Sequence, residues 1–187
     1  MIRAPHKQHR DERGGQGSRS ACRASVLGRV AGNALPSLVM AGFAVAVAIA
    51  IFLLTAQGPD DTISASSIVN VWLAKVFGRI PGLYDPQTGL WLGIGVRHWA
   101  HTAEFWLLGL FVSLSAYFAL RPRLLVAGGV SFAVCVAFSL FDQTHKLFVP
   151  GRHFDGFDLA MDALGYGLVI AIVFTIGWIL KKVTCRG

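Results

Sequence analysis

The stretch VMAGFAVAVAIAIFLL, residues 39–54, contains no charged side chain and is the strongest indication of the fold class. The uncharged run extends from about Leu35 to Ala56, and at ~1.5 Å per residue a helix of this length crosses the ~30 Å hydrocarbon core of a bilayer. A cleaved signal peptide is the rival interpretation. Its apolar region is usually only ~7–15 residues long, and small residues do not occupy both key positions of an A-x-A site here. The stretch therefore predicts a retained transmembrane helix.

The overall composition also indicates a membrane protein. Of the 187 residues, 54% are hydrophobic and only 14% are charged, which is too apolar for an ordinary soluble domain. The formal net charge of +7 resides in tails and short connections rather than on one folded face, so we expect no nucleic-acid partner. Cys22, Cys135 and Cys185 lie far apart, without a disulfide or zinc pattern, and no metal or cofactor is expected.

Three further apolar stretches follow, at about Trp99–Leu120, Leu124–Phe141 and Leu159–Leu180. Each is long enough to cross a bilayer, so the predicted fold class is all-α, a polytopic membrane protein with about four transmembrane helices. Residues 1–34 are rich in Arg, Gly, Ser and His and offer little surface to bury, which predicts a disordered basic tail. Residues 35–187 then form one four-helix transmembrane domain.

A mixed segment, SASSIVNVWLAKVFGRIPG at residues 64–82, connects the first two spans. Its apolar residues recur at helical spacing, and Ser67, Asn70 and Gly78 fall on the opposite side. We expect an interfacial amphipathic helix that lies along the membrane. The alternative is a helix that faces solvent and packs on its own chain.

The basic residues predict the orientation of the chain in the membrane. If the amino terminus is inside, twelve of the 17 Lys and Arg residues are cytoplasmic, in the tail, around Pro122 and after Leu180. Such residues are enriched in the cytoplasmic segments of membrane proteins. Both termini are therefore predicted to be cytoplasmic, with the loops that begin near Gln57 and Asp142 outside.

Polar and ionisable side chains gather near the predicted outer ends of the last three spans. Counted from Arg121, Glu104 lies ~25 Å up its helix, and Asp162 reaches a similar height in the last span. Charged groups inside a bilayer are costly and usually have a partner or a role. Residues at i, i+4 and i+7 share one helix face, and Pro150-Gly151 supplies a turn that folds the connecting loop back. These observations predict an outward-facing polar pocket formed by Arg97, His101, Glu104, Arg152, Asp158 and Asp162.

Two segments of the pocket carry a resemblance to a known family. RHWAHTAEFWLLG, residues 97–109, resembles the VanZ-like pattern R-K-x-x-H-x-x-E-Y-x-x-L-G, and SLFDQTHKLFVPGRHFDGFDLAMDALGYG, residues 139–167, is similar to E-x-x-Q-x-F-x-P-G-R followed by D-x-x-x-N-x-x-G. The resemblance covers the last three helices. It implies a bacterial membrane protein that faces the cell envelope, in a family named for a protein associated with resistance to the glycopeptide teicoplanin. The matched positions are Arg97, His101, Glu104, Leu108, Gly109, Phe148, Pro150, Gly151, Arg152, Asp158 and Gly165.

Five positions depart from the family pattern. The chain has His98, Phe105, Gln143, Lys146 and Asp162 where the family usually has Lys, Tyr, Glu, Gln and Asn. The amide at Gln143 removes a possible general acid, whereas Asp162 adds an acid where the family has an amide. This chain therefore has no acid at position 143 for a mechanism that needs one.

Two interpretations of the pocket do not involve catalysis. In the first, the charged side chains form buried hydrogen bonds and ion pairs that only lock the helices together. In the second, the pocket binds an anionic or lipid-linked envelope component, whose phosphate or carboxylate contacts Arg97 and Arg152 through charge-assisted hydrogen bonds. Membrane lipids are the expected partners, and assembly into a homo-oligomer stays open.

A third interpretation is a membrane-embedded enzyme. His101 would act as general base or acid, with Glu104 or Asp158 as its partner. A metal-dependent variant would use His101, Glu104, Asp158 and Asp162 as ligands, although an H-x-x-E spacing is weak evidence for a metal.

The remaining histidines near the pocket are expected to have no part in it. His98 is predicted to anchor the chain at the membrane interface, and His145 and His153 to be solvated in the outer loop.

Overall fold

The computed structural model describes residues 12–56, 71, 75, 84, 85, 88, 90–121 and 123–184. Side chains are described for these residues from Asn33 onward, except for Tyr84 and Thr184. The predicted amphipathic helix at residues 64–82 falls almost entirely outside this set, so it stays a prediction.

Four long helices account for most of the described chain. They are α1 at Glu12–Thr55, α2 at Val96–Leu120, α3 at Leu124–His145 and α4 at Gly156–Thr184, and a 3₁₀ turn at Lys146–Phe148 follows α3. Each helix contributes a stretch long and apolar enough to cross a membrane, namely Asn33–Thr55, Val96–Leu120, Leu124–Phe148 and Gly156–Val183. The predicted all-α polytopic membrane fold is confirmed.

Helix α1 begins at Glu12, inside the segment for which the composition predicts disorder. Extending a helix that has already formed adds one hydrogen bond per residue without a new nucleation step, which favours helical backbone even in a weakly apolar sequence. Residues 1–11 lie outside the described residues, and for them the disordered tail stays a prediction.

Helix α2 lies at the centre of the bundle, where it packs against α1, α3 and, most extensively, α4. Glycines permit this close approach, because a Cβ at Gly165 would collide with the carbonyl oxygen of Thr102, and one at Gly109 would lie 2.9 Å from the Cβ of Tyr166. Large apolar side chains on the outer surface, such as Leu125, remain exposed and suit contact with lipid tails. One cluster of buried apolar residues comprises Ala44, Ile51, Phe105, Leu108, Cys135 and Tyr166.

A small antiparallel sheet, which the sequence patterns did not predict, leads directly into α2. Its strands are β1 at Tyr84–Asp85, β2 at Leu90–Trp91 and β3 at Ile94–Gly95, paired in that order. Leu92 and Gly93 form the tight turn between β2 and β3 with φ of 52° and 77°, the two positive values that a type I′ hairpin requires. The sheet positions the first turn of α2, which carries Arg97 and His98.

Candidate functional site

Asp158 is the centre of the polar region. It lies in the first turn of α4, where the helix dipole favours an acid, and its side chain is 0% exposed. Lys146 Nζ donates a hydrogen bond to Asp158 Oδ2 at 2.9 Å, and His98 Nδ1 lies 2.6 Å from Asp158 Oδ1. A buried carboxylate needs such partners because an unpaired buried charge is costly. These contacts connect α4 to α2 and to the 3₁₀ turn.

Two more basic side chains of α2 face the same carboxylate. Arg97 Nη2 lies 3.5 Å and His101 Nε2 lies 3.8 Å from Asp158 Oδ2. Arg97 keeps 46% of its side chain exposed, whereas His101 is buried, so Arg97 lies at the rim and His101 below it. We call this set the Asp158 cluster: Arg97, His98, His101, Lys146 and Asp158.

A second buried acid, Asp142, extends the cluster towards α1. Its Oδ2 lies 3.7 Å from Lys146 Nζ, one turn further along the chain, and its Oδ1 accepts a hydrogen bond from Thr55 Oγ1 at 2.7 Å. All three side chains are buried. One polar network therefore contacts all four helices, and Lys146 serves two acids at once.

Asp162 lies one turn deeper in α4 than Asp158. It is fully buried, and one of its carboxylate oxygens accepts a hydrogen bond from Ser139 at 2.8 Å. Its other oxygen, and both polar atoms of the fully buried Gln143 amide, have no hydrogen-bond partner among the described residues. Buried polar atoms nearly always have partners, so these three atoms are available to partners outside the described residues, water included.

Glu104 and Arg152 lie beside the Asp158 cluster. Glu104 Oε2 is 3.5 Å from His101 Nδ1. Partial burial and the nearby positive charge of Arg97 lower the pKa of Arg152, while the carboxylates of Glu104 and Asp158 act in the opposite direction. Arg152 thus lies within the electrostatic field of the cluster and remains a charged guanidinium.

The described residues contain one group with spacing suited to a metal ion, formed by His98, Asp155 and Asp158, whose potential ligand atoms lie within 4.8 Å of one another. It differs from the ligand set weighed in the sequence, which centred on His101 and Glu104. Asp158 already accepts a hydrogen bond from the ammonium of Lys146, and that positive charge opposes a cation. The geometry gives a metal-dependent mechanism little support.

The structure brings the residues predicted from the sequence to one end of the bundle. Arg97 and His101 face Asp158, Glu104 faces His101, and Arg152 lies nearby, as the helical spacing and the loop turn predicted.

The expectations for two histidines were wrong. His98 does not act as an interface anchor but contacts Asp158, since the first turn of α2 points towards the start of α4. His145 is not a solvated loop residue, because it is the last residue of α3 and its ring packs at a tilt against Phe52, with centroids 4.4 Å apart. His153 is exposed, as expected.

Sequence reasoning also missed the structural part played by Lys146 and Asp142. Their spacing of i, i+4 at the end of the third span was the available signal, because it places an acid and a base on the same helix face.

Comparison with known proteins identifies a family. The profile of the VanZ/LLP1 family matches residues 40–179, which include the second and third membrane spans, most of the first and the last, and every member of the Asp158 cluster. No curated protein and no solved structure matches the chain significantly. The family match covers well over half of the chain, and the chain belongs to the VanZ/LLP1 family.

Proposed function

We propose that this chain is a protein of the bacterial cell envelope whose Asp158 cluster binds an anionic, lipid-linked envelope component. The site would face outward from the plasma membrane, with both termini in the cytoplasm, as the distribution of basic residues predicts. One observation carries the proposal: a single buried carboxylate faces four basic side chains, and one of these, Arg97, keeps 46% of its side chain exposed.

The charge of the site changes from mixed in the interior to positive at the rim. In the interior, the buried acids Asp158 and Asp142 share the ammonium of Lys146. At the rim, Arg97 is about half-exposed and Arg152 is partly buried. The interior acids hold the arginines by charge attraction, and the rim presents positive charge to an incoming group. This gradient favours a ligand with a negative head group.

Phosphate is the head group that suits two arginines best. The planar guanidinium donates paired hydrogen bonds to phosphate or carboxylate oxygens, and such charge-assisted bonds are roughly twice as strong as neutral ones. Because the site lies at the ends of the membrane-spanning helices, the hydrophobic part of a lipid-linked ligand can stay in the bilayer while its head group reaches the rim. A long-chain polyprenyl phosphate is a suitable probe.

The test compares affinity with stability in the same set of variants. Arg97→Lys and Arg152→Lys keep the charge but lose the fork of donors, so each should weaken binding of the polyprenyl phosphate by about tenfold, as loss of a charge-assisted hydrogen bond predicts. Arg121→Lys, an exposed arginine at the opposite end of α2, is the matched control and should bind as the wild type does. Binding is measured by titration in detergent, and folding by thermal melting.

The same experiment separates binding from a structural lock. Equal affinity in all variants, together with a large fall in melting temperature for Arg97→Lys and Arg152→Lys, would show that the arginines only hold the helices together. Weaker binding with little change in melting temperature supports the proposed site.

A membrane-embedded enzyme is the second candidate, favoured by the 2.6 Å contact between His98 and Asp158. A carboxylate that holds one ring nitrogen of a histidine orients the other for acid or base catalysis. His101 lies farther from its acids, at 3.5 Å from Glu104 and 3.8 Å from Asp158, which makes His98 the better general base. Release of phosphate from a polyprenyl diphosphate by the wild type, abolished in His98→Gln, would favour the enzyme. Recovery of the unchanged diphosphate would leave binding as the only function of the site.

A relation to teicoplanin resistance is a further part of the proposal. Membership of the family does not itself imply that this chain confers resistance. Teicoplanin is a glycopeptide and acts on the envelope, the compartment that an outward-facing site would serve. Expression of the wild type in a sensitive host should raise the inhibitory concentration of teicoplanin, and Arg152→Lys should reverse the rise. If expression of the wild type leaves the inhibitory concentration of teicoplanin unchanged, this chain does not confer resistance.

A further inference from the structure

A groove of about 830 Å³ lies between α3 and α4, at the end of the bundle opposite the Asp158 cluster. Apolar side chains and the Gly128–Gly129 pair form its walls, and Arg123 and Lys181 lie at its mouth. Trp178 and Phe174 provide aromatic walls on the α4 side. We propose that this groove is a binding site for an anionic glycerophospholipid, with one acyl chain in the groove and the phosphate at the two basic side chains. This inference is independent of the function proposed for the Asp158 cluster.

The dimensions of the groove fit one leaflet of a membrane. On α4 its lining runs from Ile170 to Lys181, which at ~1.5 Å per residue is ~16 Å along the helix axis. Half of the ~30 Å hydrocarbon core is about the same length. A lipid whose head group lies at Lys181 would therefore place its acyl chain along the whole groove.

The mouth of the groove has features that suit a phosphate. Arg123 and Lys181 are both exposed and line it, whereas the neighbouring bases Arg121 and Lys182 lie over the rings of Tyr117 and Trp178. Arg123 is also the N-cap residue of α3, and no described side chain caps that helix. A helix start with uncapped N–H groups attracts anions, so a phosphate there would meet backbone donors and two positive charges together.

Concavity distinguishes this groove from the remaining lipid-facing surface. Exposed apolar side chains occur all around the bundle and contact lipid without selecting it. Inside the groove, a Cβ at Gly128 would lie only 3.6 Å from the ring of Phe174, whereas a Cβ at Gly129 would meet no described atom within 4 Å. The space beside Gly129 is open, and a side chain added there would occupy the position of the acyl chain without disturbing the helices.

The experiment measures lipid retained by the whole chain after reconstitution in bilayer nanodiscs of phosphatidylglycerol and phosphatidylcholine. Native mass spectrometry counts the lipids that remain bound after transfer to detergent. The wild type should retain phosphatidylglycerol in preference to phosphatidylcholine. Arg123→Gln and Lys181→Gln should each lower that retention about fivefold, the effect expected for one basic residue at an anionic surface. Gly129→Leu should abolish it by filling the groove.

Two matched variants control for general effects. Arg121→Gln removes a base at the same end of the bundle but outside the groove, and Gly167→Leu adds a side chain at another helical glycine that has open space beside it. Both should retain phosphatidylglycerol as the wild type does. Equal retention of the two lipids by the wild type, or an equal loss in the groove variants and the controls, would overturn the proposal. A shift of the Gly129→Leu protein from dimer to monomer with lipid retention unchanged would assign the groove to a second copy and also overturn it.

Discussion

Lys146 is only 1% exposed, although it carries a charge in a protein that crosses the membrane. Its ammonium lies 2.9 Å from Asp158 and 3.7 Å from Asp142, so it compensates two buried acids. Removing one partner of a buried ion pair leaves an uncompensated charge, and this typically costs about 3–5 kcal/mol. We predict that Lys146→Gln lowers the unfolding free energy by about that amount, as measured by denaturant unfolding in detergent.

The departures from the family pattern suggest a second test of the role of Lys146. Relative to that pattern the chain gains a base at Lys146 and an acid at Asp162, and it lacks a lysine at His98 and an acid at Gln143. With a neutral His98, the chain and the family pattern have one lysine and one acid each at these four positions. Only the places of the two charges differ. All four positions lie in or next to the Asp158 cluster. A charge buried there needs an oppositely charged or hydrogen-bonding partner.

We predict that the quadruple variant His98→Lys, Gln143→Glu, Lys146→Gln, Asp162→Asn is more stable than Lys146→Gln alone. The added lysine and glutamate restore a compensated set of charges, and interacting residues are strongly non-additive. Thermal melting of both proteins with the wild type measures the recovery. If the quadruple variant melts no higher than Lys146→Gln, the added lysine and glutamate do not compensate the charges that the other two substitutions remove.

At this scale, the sequence predicted the residues that follow helical spacing and missed those that depend on tertiary placement. Arg97, His101 and Asp158 could be predicted because depth along a helix is a simple count. His98 could not, because its contact with Asp158 depends on how the start of α2 meets the start of α4. Lys146 ends its span in a 3₁₀ turn, a geometry that the apolar pattern does not encode.

Among the secondary-structure elements, the pair of α2 and α4 has the closest contact, and Gly165 makes it possible. A Cβ at this position would collide with the carbonyl oxygen of Thr102, a backbone atom that cannot move alone. Both helices would have to shift, and the residues of the Asp158 cluster on them would move apart. We expect the cost to be about 1–3 kcal/mol, as for overpacked cores.

We therefore predict that Gly165→Ala lowers the melting temperature and also weakens binding of the polyprenyl phosphate. Gly167→Ala is the matched control on the same helix, because its Cβ would meet no described atom within 4 Å. That control should be neutral or slightly stabilising, since alanine favours helix over glycine by ~1 kcal/mol. Similar melting temperatures for the two variants would mean that α2 and α4 are not held by this contact.

The membrane-spanning helices could be predicted from the sequence because apolar length is a local property. The small sheet before α2 could not, for its strands have two residues each and its turn is Leu92-Gly93 rather than an Asn-Gly or Asp-Gly signal. Leu92 adopts a positive φ that is uncommon for a branched side chain, which indicates that the surrounding contacts determine this turn.

On the scale of the whole molecule, the two ends of the bundle differ in their chemistry. Asp158 begins α4 within a mixed network of acids and bases, and Lys181 ends the same helix next to Lys182 and near Arg123, where the charges are basic. Cytoplasmic ends of membrane helices carry such an excess of Lys and Arg. The structure thus places the polar network and the basic end at opposite ends of α4.

We predict that both termini are cytoplasmic. A reporter fused after Gly187 that is active only in the cytoplasm should be active, and the same reporter inserted after Gly151, in the loop before α4, should be inactive. The reverse pattern would place the Asp158 cluster on the cytoplasmic side and remove the outward-facing site.

We propose above all that Arg97, which contacts the buried Asp158, binds an anionic head group together with Arg152. An experimental structure of the wild type in nanodiscs with added polyprenyl phosphate tests it most directly. We predict density for the phosphate within hydrogen-bond distance of both guanidinium groups, about 2.7–2.9 Å from nitrogen to oxygen, with the prenyl chain leaving towards the bilayer. Phosphate density elsewhere, or no phosphate density with both arginines bonded only to carboxylates of the chain, would contradict the claim.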